Sequence, residues 1–254
     1  MSKTLKTYSK LSTEYYDLEN HINHDIALAF YIDYAKQANG LILEPMCGSG
    51  RFLIPMLQLG LQAFGFDASH YMIDAFKQNY SKISMQAPVW QSFIEDFNDN
   101  KLYKLIFIPY GSWGLIIDQV IAKQSCKIIY NHLAVGGKFV LEIETVSSVP
   151  KNCGILHKNK LKRADGSSIS LTTIPTYDAQ TQIFKCECRY ESIINQNIVD
   201  TEFEEFKQYL YKFDEFDQIL YAAGFTNIKK FQSFQKEPAT DINARILIYE
   251  CIKL

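Results

Sequence analysis

Eight consecutive residues, Glu44-Pro-Met-Cys-Gly48-Ser-Gly50-Arg51, combine a carboxylate, two glycines and a guanidinium, the first of them closing the apolar run Leu41-Ile-Leu-Glu44. A strand that passes through a glycine-containing turn into a helix lets backbone N–H groups approach a ligand closely. Gly48 and Gly50 remove the Cβ atoms that would block that approach. Asp67 follows Glu44 by 23 residues and ends a second apolar run, Gln62-Ala-Phe-Gly-Phe-Asp67. At the end of such a strand a carboxylate can accept both hydroxyls of a ribose. Any β-turn-α unit can also use two glycines and close a strand on aspartate, so this pair alone defines a turn as readily as a nucleoside site.

These groups must be held by elements legible in the pattern of apolar residues. A helix is expected over 25–37, stopped near Asn39-Gly40. Buried strands follow at 41–44 and 62–67, a short one within 87–93, then 102–109 and 138–144. Helices are expected between them at 51–59, 68–80 and 115–133, with Ser69 an N-cap and Pro55 tightening or bending the start of its helix. Strands alternating with helices imply a parallel, doubly wound α/β sheet. From about 150 to 210 the pattern changes to alternating segments between polar turns, the signature of antiparallel hairpins. A helix capped by Asp214 and ended by Gly224, then two strands, close the chain. The organisation is an N-terminal lead over 1–40, a core over 41–149, an antiparallel insertion over 150–210, and 211–254 returning to the core.

The stretch 44–51 resembles the first motif of class I S-adenosylmethionine-dependent methyltransferases, acid-x-Gly-x-Gly-x-Gly, and Gly65-Phe-Asp-Ala-Ser69 resembles the acidic-loop motif that follows it. The resemblance covers roughly 41–145 and 213–254. It implies a mostly parallel seven-stranded Rossmann-like sheet with the antiparallel insertion after the fifth strand, and S-adenosylmethionine as cofactor. It places Gly48 to Arg51, with Met46 and Cys47 before them, around the methionine part. Glu44 then faces the ammonium, Arg51 pairs with the carboxylate, Asp67 holds the ribose, and Ala68 to Met72 lie near the adenine. Met46 stands where the family has its first glycine, so the turn must open or lodge that side chain away from the cofactor. Ser92 or Phe93 stands where relatives often have an aspartate for the adenine amino group; the alternative for Phe93 is plain core.

The segment Ile108-Pro109-Tyr110-Gly-Ser112-Trp113 occupies the position where such enzymes bring cofactor and acceptor together, at the carboxyl edge of the sheet. It resembles the acid-Pro-Pro-Tyr motif of enzymes that methylate planar amino groups. Ile108 replaces the acid and only one proline is present, which argues against a nucleic-acid substrate. Tyr110, Ser112 and Trp113 are the pocket candidates. The layout is similar to small-molecule N-methyltransferases acting on amino sugars or glycine, in which a tyrosine of the leading segment closes over the cofactor. Tyr15 and Tyr16 match by position, and a staple packing that segment onto the core is the other reading. Arg163, Arg189 and Tyr190 could reach an acidic or sugar-like acceptor. The insertion is read as an acceptor lid or the contact of a homodimer. Tyr16, His132 and His157 are nominal general bases, with a structural or surface role favoured for His132.

Composition narrows the rest. Hydrophobic residues make up 47% of the 254, enough for a core between a sheet and its helices. A net charge of −2 gives no overall attraction to nucleic acid or an anionic membrane. The leading segment has no apolar signal core, no apolar run is long enough to span a bilayer, and a cytoplasmic protein is expected. Six scattered cysteines, with no second Cys/His pair near Cys186 and Cys188, imply reduced thiols and no metal site. A nicotinamide-dependent oxidoreductase would need a third glycine where Leu53 stands. A protein that binds S-adenosylmethionine without catalysis would share every motif above.

Overall fold

The computed structural model describes residues 5–19, 25–81 and 86–254; the first four residues of the polar lead lie outside them. Two helices, α1 (Lys10–Glu19) and α2 (Asp25–Gln37), precede the alternating core. That core runs β1 (Ile42–Pro45), α3 (Leu53–Gln58), β2 (Ala63–Asp67), α4 (His70–Ser81), β3 (Val89–Gln91), β4 (Tyr103–Ile108), α5 (Gln119–His132) and β5 (Leu133–Glu144). An antiparallel meander follows, β6 (His157–Lys162), β7 (Ser168–Asp178), β8 (Ile183–Ile194) and β9 (Asn197–Tyr209). The chain ends with α6 (Glu215–Ala223), β10 (Asn227–Phe231) and β11 (Ile246–Ile252).

Seven strands form one sheet in the order β10-β11-β5-β4-β1-β2-β3, and the meander forms a separate four-stranded sheet in chain order. In the large sheet β3, β2, β1, β4 and β5 are parallel, and β11 runs antiparallel between β5 and β10. The strand order reverses between β1 and β4, which opens a crevice at their carboxyl ends. Both faces are buried. Leu43, Ile106, Ile108, Phe139 and Leu141 join one core cluster, while their alternates Ile42, Leu105, Phe107 and Val140 join the other beneath α2 and α3. The same period of two puts Glu44 and Glu142, the carboxyl-end acids of β1 and β5, on the α2 side.

Several elements differ from their sequence reading for local reasons. The helix expected over 115–133 begins at Gln119, because Asp118 caps it by accepting from the N–H groups of Val120 (2.8 Å) and Ile121 (3.3 Å). Residues Ser112–Leu115 before it form a separate 3-10 turn. Helix α3 starts at Leu53, so Pro55 lies in the first turn, where its missing N–H costs no helical hydrogen bond. Ser69 does cap α4, accepting from Met72 N at 3.2 Å. Asp214 makes no capping bond to α6 and instead pairs with Lys230 at 2.7 Å. Among the described residues no helix is long and apolar enough to cross a membrane.

Candidate functional site

The loop after β1 is a run of unusual backbone. Met46, Gly48 and Gly50 all have positive φ, at 59°, 54° and 98°. The two glycines serve different ends. A Cβ on Gly48 would look into open space beside Met72 Sδ (3.8 Å) and the Tyr16 hydroxyl (4.0 Å), so this glycine faces the crevice. A Cβ on Gly50 would strike Ile54 and Phe76 at 2.6–2.7 Å, so Gly50 lets α3 and α4 close up behind the loop. Met46 takes the left-handed conformation that glycine adopts freely, at a cost of about 1 kcal/mol; the residue borders the crevice and also packs against the core.

Asp67 joins this loop to the next. Its Oδ2 accepts from Gly48 N at 2.9 Å and its Oδ1 from Ser69 N at 2.8 Å. Burial pushes its carboxyl up to about 6, against the backbone N–H groups of Ser69, Gly48 and Ala68, which hold it down. Around these residues lies a cavity of about 570 Å³, mostly apolar in its lining. The fold brings ten of the residues singled out from sequence to its wall: Tyr16, Met46, Gly48, Asp67, Ala68, Met72, Ser92, Phe93, Tyr110 and Ser112.

Behind that wall sits a buried polar recess. Glu44 is 2% exposed, its Oε2 has no hydrogen-bond partner among the described residues, and burial holds its carboxyl well above the usual range. Arg51 Nε is likewise buried without a partner. The Arg51 guanidinium lies between two rings, 4.8 Å from the centroid of Tyr16 and 4.4 Å from that of Tyr110. Cation–π contact of this kind orients a guanidinium without using its N–H groups. A buried acid oxygen and a buried guanidinium nitrogen, each without a partner among the described residues, suit a ligand group that carries an ammonium and a carboxylate.

The leading segment roofs the cavity through Leu5 to Tyr8. Tyr8 O accepts from Ser69 Oγ at 2.7 Å and from Thr13 Oγ1 at 3.2 Å, and the Tyr8 ring packs edge-on against Tyr16 at 6.2 Å. The first turn of α1 is capped by β9: Glu202 accepts from Leu11 N and Ser12 N, both at 3.0 Å, and Glu204 accepts from Ser9 N at 2.8 Å and from the Ser12 hydroxyl. Sequence reasoning missed Tyr8, Glu202 and Glu204. Their only local signal is polar alternation in β9, and the pairing joins residues nearly 200 positions apart.

Other candidates lie elsewhere. Trp113 is fully buried against Phe139 (6.0 Å) and Phe216 (5.5 Å); in the 3-10 turn Ser112 and Leu115 share the cavity side, which sends Trp113 into the core. Tyr15 packs on Tyr190 at 5.7 Å and accepts from Asn159 Nδ2 at 2.8 Å, so both tyrosines dock α1 on the second sheet. Arg163 pairs with Glu14, and Arg189 with Glu191. Cys47 turns into the core beneath α2 and α3, and Pro109 supplies the carbonyl that closes the turn to Ser112. His132 accepts from Asp99 N at 3.1 Å against the Phe97 ring, and His157 lies exposed beside Asn152, so neither stands at the cavity.

A reversed parallel sheet with one antiparallel strand between its last two members, and a ligand crevice at the reversal, defines the Rossmann-like methyltransferase class of fold. No family model matches the chain, and no curated protein matches it in sequence. Solved structures do match. An S-adenosylmethionine-dependent methyltransferase from Clostridium acetobutylicum superposes with a TM-score of 0.76 at 18% identity, covering 94% of this chain and 96% of that one. A sugar N-methyltransferase from a Streptoalloteichus species gives 0.77 at 13% identity, over 100% and 97% of the two chains. An amino pentose methyltransferase from Micromonospora echinaspora, solved with S-adenosylmethionine bound, gives 0.71 at 14% identity over the whole of both. The likeness shows the fold.

Proposed function

We propose that this chain is an S-adenosylmethionine-dependent methyltransferase acting on a small-molecule amine. The observation that carries the reading is the pairing of the Asp67–Gly48 cradle with the unsatisfied Glu44 Oε2 and Arg51 Nε. Asp67 has the position and acceptor capacity for the ribose hydroxyls. Arg51 supplies charge for the carboxylate of the amino-acid end, Glu44 an unsatisfied oxygen to accept from its ammonium, and Met72 and Phe93 offer soft, flat walls for the adenine. The fold is shared with structures described as sugar and amino pentose methyltransferases, which supports a small amine as the acceptor.

The bound cofactor supplies a methyl group already activated by its sulfonium. The chain's own task is therefore alignment and exclusion of water. Tyr110 and Ser112, at the carboxyl end of β4, are placed to orient the acceptor, while Leu5 to Tyr8 roof the cavity against solvent. An amine reacts through its lone pair and so must reach the site deprotonated. Free thiols at all six cysteines accord with a reducing, cytoplasmic setting. The test is transfer of an isotopically labelled methyl group from S-adenosylmethionine to a panel of small primary and secondary amines, with matched alcohols and carboxylates alongside. Labelling of amines alone supports the reading; labelling of oxygen acceptors alone refutes the assigned atom.

A further inference from the structure

Glu142 is a buried acid that the account above leaves without a task. It is 3% exposed at the carboxyl end of β5, and its Oε1 accepts two bonds, from the Tyr31 hydroxyl of α2 at 2.8 Å and from Tyr110 N at 3.0 Å. An acid so deeply buried costs free energy unless bonded, and here the bonds bolt a helix to the turn after β4. That turn is strained: Tyr110 has φ +60° and is followed by Gly111 at +65°. A bulky residue in the left-handed region persists only where its surroundings hold it. On one side Gln208 Nε2 donates to Gly111 O at 3.2 Å, and on the other Glu142 holds the Tyr110 amide. The conformation lays the Tyr110 ring on the Arg51 guanidinium, which also meets the Tyr16 ring and whose Nε has no partner among the described residues.

We infer that Glu142 is a positioning residue for the methionine end of the cofactor: by holding the Tyr110 amide it sets the aromatic wall that aims Arg51. The inference rests on the function proposed above. Tyr31 takes part at one remove, because its hydroxyl fixes the rotamer of the Glu142 carboxylate. Asp67, assigned to the ribose, is held instead by Gly48 N at 2.9 Å and Ser69 N at 2.8 Å. Glu142 bonds to the turn beside Arg51, so its effect falls chiefly on the methionine half of the ligand.

The test compares S-adenosylmethionine with adenosine, which lacks the methionine part, by calorimetric titration of the full chain. Glu142→Leu is expected to weaken S-adenosylmethionine at least tenfold while leaving adenosine within about twofold. Glu142→Gln keeps an oxygen for the Tyr110 amide and is expected to hold S-adenosylmethionine within about threefold, and Tyr31→Phe to lose about as much. Unchanged S-adenosylmethionine binding in Glu142→Leu overturns the inference. So does a parallel loss of adenosine, the mark of a merely structural role. If Glu142→Leu does not fold, Glu142→Gln and Tyr31→Phe decide: a tenfold or greater loss in Glu142→Gln, or parallel losses of both ligands, overturn it. Failure of the wild-type protein to bind S-adenosylmethionine would instead bring down the proposed function and the inference with it.

Discussion

Gly48 N donates to Asp67 Oδ2 at 2.9 Å, so the turn after β1 and the end of β2 are one hydrogen-bonded unit. The second Asp67 oxygen takes the Ser69 amide, and Ser69 Oγ in turn holds Tyr8 in the roof. The turn after β1, the end of β2 and the leading segment are thereby coupled through one carboxylate.

Asp67→Ala removes that unit and the proposed ribose acceptor together. It is expected to stay folded and to lose S-adenosylmethionine affinity by about a hundredfold, or ~2.7 kcal/mol. Gly48→Val, which forces a β-branched residue to φ +54° at the cavity wall, is expected to do the same. Calorimetry with circular dichroism on both variants checks this; normal binding in folded protein would refute the assignment.

Binding should depend on pH through Asp67. Its carboxyl sits at about 6, so it gains a proton as pH falls through that value and loses acceptor capacity for the ribose. Affinity for adenosine as well as for S-adenosylmethionine is expected to fall below about pH 6 and to level off above it, with proton release on binding near the midpoint. Stability runs the other way. The folded value is raised above the ordinary 3.8, so this group's contribution to stability is complete below 3.8 and lost as pH rises through about 6. Titrations between about pH 5 and 8 in buffers of different ionisation enthalpy read both the affinity and the proton release.

Gly50 separates folding from binding. With φ +98° and Ile54 and Phe76 at 2.6–2.7 Å from any added Cβ, Gly50→Ala is expected to cost ~2–3 kcal/mol, or about 5–10 °C in Tm. The signature is thermal destabilisation with near-normal affinity in the protein that remains folded. A binding defect without a change in Tm would show that the two glycines had been assigned the wrong way round.

The roof hangs on β9. Glu204→Ala leaves Ser9 N without its side-chain acceptor and the Ser12 hydroxyl with only the Ser9 carbonyl at 3.2 Å, a local loss of about 1–3 kcal/mol. Faster amide hydrogen exchange is expected over residues 9–13, with the exchange of β1 and β4 unchanged. Uniform acceleration across the core would instead mark Glu204 as a general stability residue.

What the sequence disclosed follows from the range of the contacts. The strand–loop–helix around Gly48 and the aspartate ending β2 are local, and the apolar periods of β1, β4 and β5 predicted a parallel sheet that the structure contains. Glu142 was illegible because Lys138-Phe-Val-Leu-Glu142-Ile-Glu144 reads as ordinary alternation. Only the pairing of β4 with β5 brings it to Tyr110. Trp113 misled because a large polar-edged ring after a cavity strand fits a pocket as well as a core, and the 3-10 turn that decides between them has no strong signature. Tyr15 and Tyr16 are adjacent on one helix and so point to different neighbours, one to the second sheet and one to the cavity.

The most direct test of the central claim is calorimetric titration of the purified protein with S-adenosylmethionine, its demethylated product and NAD in parallel. Saturable binding of the first two, with none of NAD, is the predicted result. Binding of NAD alone would contradict the account and make the chain a nicotinamide-binding protein on a methyltransferase fold.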